Sequence, residues 1–173
     1  AHKAAGTQDQ ADGVVQVPVT NYFAEERWRQ EMDQVFGRLP VVVAASCELA
    51  ARNSYIAGEV AGTPFLVSRG DDGELRGFYN MCSHRGAIVT EPGTGTARRH
   101  TCPYHAWVYS LDGSLRTARN TAELDDFDRC DFGLAPIGLN DLCGFLFVNL
   151  DPLAAPLAEQ APGLEDELRH YCP

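Results

Sequence analysis

The sequence has no long apolar run, no basic excess and no internal repeat. No stretch approaches the roughly 18 consecutive apolar residues that a bilayer span needs. The opening AHKAAGTQDQADG lacks the apolar core of a secretory signal and reads as a polar disordered tail. It also lacks an initiator Met, from which processing or an engineered start is expected. A net charge of −10 over 173 residues argues against a nucleic-acid partner, which calls for a basic face. It argues equally against docking on anionic lipid. An acidic balance suits solubility, or a basic protein partner. These absences lead to the expectation of a cytoplasmic protein of one domain with tails. Six cysteines without a secretory signal need not form disulfides. Cys47, Cys130, Cys143 and Cys172 share no motif and read as plain thiols.

What is present divides the chain into three parts: a tail and helix over 1–40, a β-rich body over 41–151, and a linker with a last helical turn over 152–173. Residues 20–39 predict a helix, capped by Thr20 or Asn21 and with Glu25 and Glu26 in its first turn. Trp28, Met32, Val35, Phe36 and Leu39 share one face at helical spacing, expected to pack on the chain's own core. Strands are expected at 41–46, at 60–68 and at 144–150, the last one buried. GDDG (70–73), EPGTG (91–95) and LDGS (111–114) read as hairpin turns, the second joining AIVT to ARRHT. Residues 118–141 read as an irregular, Asp-rich connection. Many short strands with Gly/Asp turns predict a mainly β fold, an antiparallel sandwich or partly open barrel.

Two stretches carry chemistry: CSHRGA from Cys82 and CPYHAW from Cys102. Together they give Cys-x-His, seventeen residues, then Cys-x-x-His. A hairpin between them would bring the two turns side by side, each offering one sulfur and one nitrogen. Structural zinc takes two Cys and two His, but usually as a Cys pair followed by a His pair. Alternating Cys and His suit two metals better, with Cys82 and Cys102 on one iron and His84 and His105 on the other. That is Rieske-type [2Fe–2S] ligation. Two neutral imidazoles in place of thiolates lower the negative charge, so the cluster accepts an electron more readily. A zinc site remains the alternative from spacing alone.

CSHRGA and CPYHAW resemble the Rieske motifs of ring-hydroxylating oxygenase α subunits, and the likeness runs over about residues 55–151 through FYNMCSHRG, WVYSLDGSL and GFLFVNLDP. It implies a Rieske-type β-sandwich with a small cluster-binding subdomain and a [2Fe–2S] cluster on Cys82, His84, Cys102 and His105. It also implies supporting roles around the cluster. Arg85 is a contact near it or a surface charge, Gly86 allows close backbone approach, and Tyr104 and Trp107 pack the loops. Respiratory Rieske proteins join their loops by a disulfide; the matching positions are Ala87 and Tyr104, so none forms here. Their Ser that hydrogen-bonds a cluster sulfur is matched by Trp107, which implies a potential near the low end, on the order of −150 mV. The family usually has Gly where this chain has Ala106, a residue strained unless its φ is negative.

The resemblance further implies a second domain, with a mononuclear Fe(II) on two His and one carboxylate. Five His occur in all, and His2, His100 and His170 open no such motif. His170 reads as a surface His. The expected role is therefore one-electron transfer as the N-terminal domain of an aromatic-ring-hydroxylating oxygenase. A ferredoxin or flavin reductase is the implied donor. The implied acceptor is a catalytic domain of the same or a neighbouring subunit, in a homotrimer or α/β hetero-oligomer. A stand-alone Rieske ferredoxin and a zinc-binding module are the alternatives.

Overall fold

Short alternating strands closed by left-handed turns build the body of the molecule. The computed structural model describes residues 6, 13–121 and 125–171; His2 and Cys172 lie outside the described residues. The strands, in chain order, are β1 Val41–Ala45, β2 Ser54–Val60, β3 Thr63–Arg69, β4 Leu75–Tyr79, β5 Gly93–Thr96, β6 His100–Thr101, β7 Val108–Tyr109, β8 Leu115–Thr117, β9 Gly138–Leu142 and β10 Phe145–Asn149. They form three antiparallel sheets, ordered β1-β10-β9, β4-β3-β2-β5 and β6-β7-β8. The expected mainly β, antiparallel architecture without a closed barrel is what the chain adopts.

The period of a strand explains the layering. In β3, Leu66 faces one apolar core while Phe65 and Val67 face the other. The four-stranded sheet is therefore the middle layer. Its one face packs with Leu146 and Val148 of β10. Its other face packs with Tyr109, Leu115, Trp107 and the two cysteines Cys82 and Cys102. Each large apolar side chain so buried contributes about 1.5–3 kcal/mol. At the 111–114 turn, Gly113 has φ +84°, and a Cβ there would clash with the Phe78 ring. Only glycine satisfies both conditions.

Several elements differ from the sequence expectation. The stretch 60–68 is not one strand: Ala61 and Gly62, at φ 51° and 77°, turn β2 into β3 as a two-residue hairpin loop. AIVT and ARRHT do not pair. β5 joins β2 instead, and β6 joins β7, which leaves only a single bridge between Met81 and Ile88. The irregular connection holds a 3₁₀ turn at Arg129–Phe132 and all but the last residue of β9, which the Cys143–Gly144 turn (φ 50° and 82°) returns into β10.

The expected helix over 20–39 is broken. A 3₁₀ turn spans Val19–Tyr22, α1 spans Glu25–Glu31, and a π turn covers Met32–Phe36. Ala24 stands at the N-cap without a side-chain bond, so neither Thr20 nor Asn21 caps α1. Its support comes from i,i+4 pairs, Arg29 with Glu25 and Arg27 with Glu31. The apolar face does not pack on the core: Trp28 is 60% exposed, and Val35, Phe36 and Leu39 are exposed as well. Only Met32 and Phe36 reach toward the sheets, over Val41–Val43 and Phe65. After β10 come two short helices, α2 Leu157–Gln160 and α3 Leu164–Arg169; His170 is exposed just beyond them. Among the described residues, no helix is long and apolar enough to cross a membrane.

Candidate metal centre

The two motif stretches fold into twin loops. In the first, the Cys82 N–H donates to Ala87 O and the Gly86 N–H to Cys82 O, both at 2.8 Å. In the second, the Cys102 N–H donates to Trp107 O at 2.8 Å and the Ala106 N–H to Cys102 O at 3.0 Å. Both frames need their fifth residue in the left-handed region. Gly86 supplies it at φ 69°, and Ala106 adopts it at φ 56°. Ala106 is thus the strained case that its sequence position raised. A Cβ on Gly86 would meet no protein atom within 4 Å, so among the residues present it is the positive φ that calls for glycine.

A buried polar chain ties the loops at their bases. Asn80 donates through Nδ2 to Thr90 O (2.7 Å), and its Oδ1 accepts from the Thr90 N–H (3.0 Å). The Thr90 hydroxyl then meets Nδ1 of His100 at 2.9 Å. Asn80 precedes the first loop, Thr90 follows it, and His100 precedes the second. Burial holds the His100 imidazole near pKa 4 and therefore neutral. His100 is consequently a brace.

The four motif side chains come together as two pairs. Cys82 and Cys102 are each 3% exposed, and Cys102 lies close enough to perturb the Cys82 thiol. Burial, ahead of other causes, pushes the Cys82 thiol up. Tyr109 and the His84 backbone pull it down by hydrogen bonding, and Cys102 pushes it up again. His84 and His105 stand at the surface side, half-buried, with ring centroids 4.7 Å apart. Desolvation, then His105 and Arg85, lower the His84 pKa. Arg85 is exposed.

Aromatic rings fix the imidazoles. Trp107, 4% exposed, crosses from the second loop to stack on His84 at 4.8 Å and 9°. Phe127 and Phe132 brace it edge-on. Tyr104 covers His105 at 3.8 Å from its solvent side. One contributor was missed from sequence: Tyr109, whose hydroxyl lies 3.1 Å from Cys82 Sγ and accepts from the Ser83 N–H at 3.1 Å. The signal was there in WVYS. Period-two alternation puts Trp107 and Tyr109 on the same inward face.

The donor chemistry fits a binuclear iron–sulfur group. Nδ1 of His105 is buried without a hydrogen-bond partner, as is Nε2 of His100, but His105 alone of the two sits in a loop beside a second imidazole, where its free nitrogen fits a metal. Two soft sulfurs and two imidazoles, with no carboxylate among them, suit iron–sulfur ligation. Among the described residues, no three His, Cys, Asp or Glu side chains form a single-ion site.

The fold and the paired Cys/His loops point to an iron–sulfur module. The model of the Rieske [2Fe-2S] domain matches residues 40–128, and the chain belongs to that family, whose cofactor is the [2Fe–2S] cluster. It is of the oxygenase-subunit type. The chain is 39% identical over 158 residues to the carnitine monooxygenase oxygenase subunit of Escherichia coli (strain K12), covering 91% of this chain and 42% of that protein. It superposes on the apo form of a quaternary ammonium Rieske monooxygenase, CntA, with TM-score 0.82 and 37% identity, covering 91% of this chain and 46% of that one. Naphthalene 1,2-dioxygenase from Rhodococcus sp. superposes at TM-score 0.77 and 32% identity, over 83% of this chain and 33% of that one. The chain spans about two fifths of the length of the E. coli relative.

Proposed function

We propose that this chain is the electron-transfer domain of a Rieske oxygenase, with Cys82 and Cys102 on one iron and His84 and His105 on the other. The observation that carries the reading is the sorting of donors by depth: a sulfur pair buried in the core and an imidazole pair at the surface. A single zinc would need all four donors around one point, and their arrangement in two pairs favours two irons. When bound, the cluster would take up and release one electron at a time, at a potential raised by its neutral ligands. The chain's own part is to hold that group rigidly. Tyr109 supplies a hydrogen bond to Cys82 Sγ, Trp107 fixes the His84 ring plane, and Tyr104 shields His105. With Trp107 in place of a sulfur-binding Ser, the potential is expected near the low end, on the order of −150 mV.

Substrate class is where the sequence expectation is corrected. An aromatic ring was expected. The relatives at 37–39% identity are instead a carnitine monooxygenase subunit and a quaternary ammonium monooxygenase. A quaternary ammonium compound is therefore the substrate we assign to the whole enzyme. We assign residues 1–40 to a tail and helix, 41–151 to the cluster domain, and 152–173 to a lead into a catalytic domain carrying mononuclear Fe(II). The uncovered apolar face of α1 supports such an addition, because exposed side chains like Trp28 mark a surface awaiting a partner. A ferredoxin or flavin reductase would donate, and the catalytic iron of the same or a neighbouring subunit would accept.

The test is low-temperature EPR of the purified chain before and after dithionite, with iron and sulfide counted on the same sample. The expected result is a signal that appears only on reduction, with the low average g of mixed Cys/His ligation. It should be lost in Cys82→Ser and altered in His105→Cys. Bound zinc with no sulfide after anaerobic reconstitution would overturn the reading.

A further inference from the structure

The chain's negative charge is unevenly spread. Residues 85–119, which run from the first cluster loop through the second and across β8, hold five arginines against two carboxylates. That is a local charge of +3 in a chain of −10. The fold brings three of these five arginines to one depression. Arg98, Arg99 and Arg116 line a cavity of about 540 Å³ with Arg76, along the outer side of the β6-β7-β8 sheet. Arg116 also borders the next depression, with Arg129.

Three of these guanidinium groups are uncommitted. Arg76 is held by Asp72 at 2.7 Å, and Arg129 donates to Arg116 O. Arg98, Arg99 and Arg116 are exposed and have no carboxylate partner among the described residues. The carboxylates nearby are Asp71, Asp72 and Asp112. Asp72 is committed to Arg76, and Asp112 accepts from the N–H and hydroxyl of Ser114.

The same sheet leads to the sulfurs. Val108 of β7 lines the arginine cavity, while its neighbours Trp107 and Tyr109 are buried. Tyr109 reaches Cys82 Sγ from the inner face. The arginine surface and the sulfur pair thus lie on opposite faces of one sheet. The imidazole pair belongs to the two cluster loops, and neither ring lines this cavity.

We propose that the outer face of the β6-β7-β8 sheet is the docking surface for the electron donor, and that the donor's matching face is acidic. The inference rests on the electron-transfer reading above. It gives the electron an entry separate from the imidazole tips, which stay free for the acceptor. It also explains how a chain of net charge −10 receives an acidic partner. The net charge repels such a partner, and the three guanidinium groups without a carboxylate partner orient the encounter.

The test uses the cluster-loaded chain and a plant-type [2Fe–2S] ferredoxin of acidic surface as the probe. Binding is measured by titration at several salt concentrations, with the cluster EPR signal recorded on each sample. The triple variant Arg98→Glu, Arg99→Glu, Arg116→Glu should weaken binding by about tenfold or more at low salt and flatten its salt dependence. Arg38→Glu, ahead of β1 on the opposite side of the fold, should stay within about twofold. Unchanged binding in the triple variant, or equal weakening in Arg38→Glu, overturns the docking surface. If reconstitution loads no cluster, the electron-transfer reading falls, and arginine-dependent binding of the probe by that cluster-free chain would leave only a surface for an acidic protein.

Discussion

Replacing Ala106 with glycine should stabilise the protein, although it removes a methyl group from the cluster loop. Ala106 sits at φ 56°, where a non-glycine residue pays about 1–2 kcal/mol. Glycine removes that strain but returns about 0.5–1 kcal/mol through its greater freedom in the unfolded chain. The net gain is about 0.5–1 kcal/mol, or roughly 1–4 °C in Tm for a chain of this size. The twin loop supplies the reciprocal experiment. Gly86 has φ 69°, and an added Cβ would meet nothing within 4 Å, so Gly86→Ala carries the conformational cost alone. It should lose about 1 kcal/mol. The double variant should return near the parent, since each change acts within its own loop. Urea unfolding at constant m measures all three. Destabilisation by Ala106→Gly, or a neutral Gly86→Ala, would refute the shared-frame reasoning.

The other predictions concern the side chains that brace the site. Tyr109→Phe removes the hydroxyl beside Cys82 Sγ; losing about 0.5–1.5 kcal/mol of preferential stabilisation should lower the potential by about 20–65 mV in a redox titration. Trp107→Leu strips the stack on His84 and the contacts to Phe127 and Phe132. Thermal melts should show a loss of roughly 3 kcal/mol, with iron content reduced. Thr90→Val keeps the shape but leaves His100 Nδ1 without its partner; the expected cost is about 1–3 kcal/mol by denaturant titration. A Val variant as stable as the parent would remove the brace from the account.

The site was more legible than the frame around it. Cys82, His84, Cys102 and His105 stood out because short-range spacing encodes loop chemistry directly. The sheet pairing was not legible. β5 is a Gly/Thr stretch with no apolar alternation, so its pairing to β2 is a tertiary choice. The turns at Ala61–Gly62 and Cys143–Gly144 were hidden because Ala and Cys are unusual first residues of a left-handed turn. The stripe from Trp28 to Leu39 was expected on one helical face packed on the core; the helix is broken and the stripe is largely exposed. Amphipathicity, however, does not say what will cover the apolar face.

The position of β3 between two cores ties the fate of the site to that of the far side of the molecule. Leu66 touches the core around the cysteines, and its neighbours Phe65 and Val67 touch the other. Neither core can loosen without disturbing the same strand. Whatever occupies the loops adds its binding free energy to the whole unfolding unit. Loading the cluster should therefore slow amide hydrogen exchange at Leu146 and Val148, in a sheet that contributes no ligand. The cofactor acts as a fastener for the entire β body as well as its redox centre.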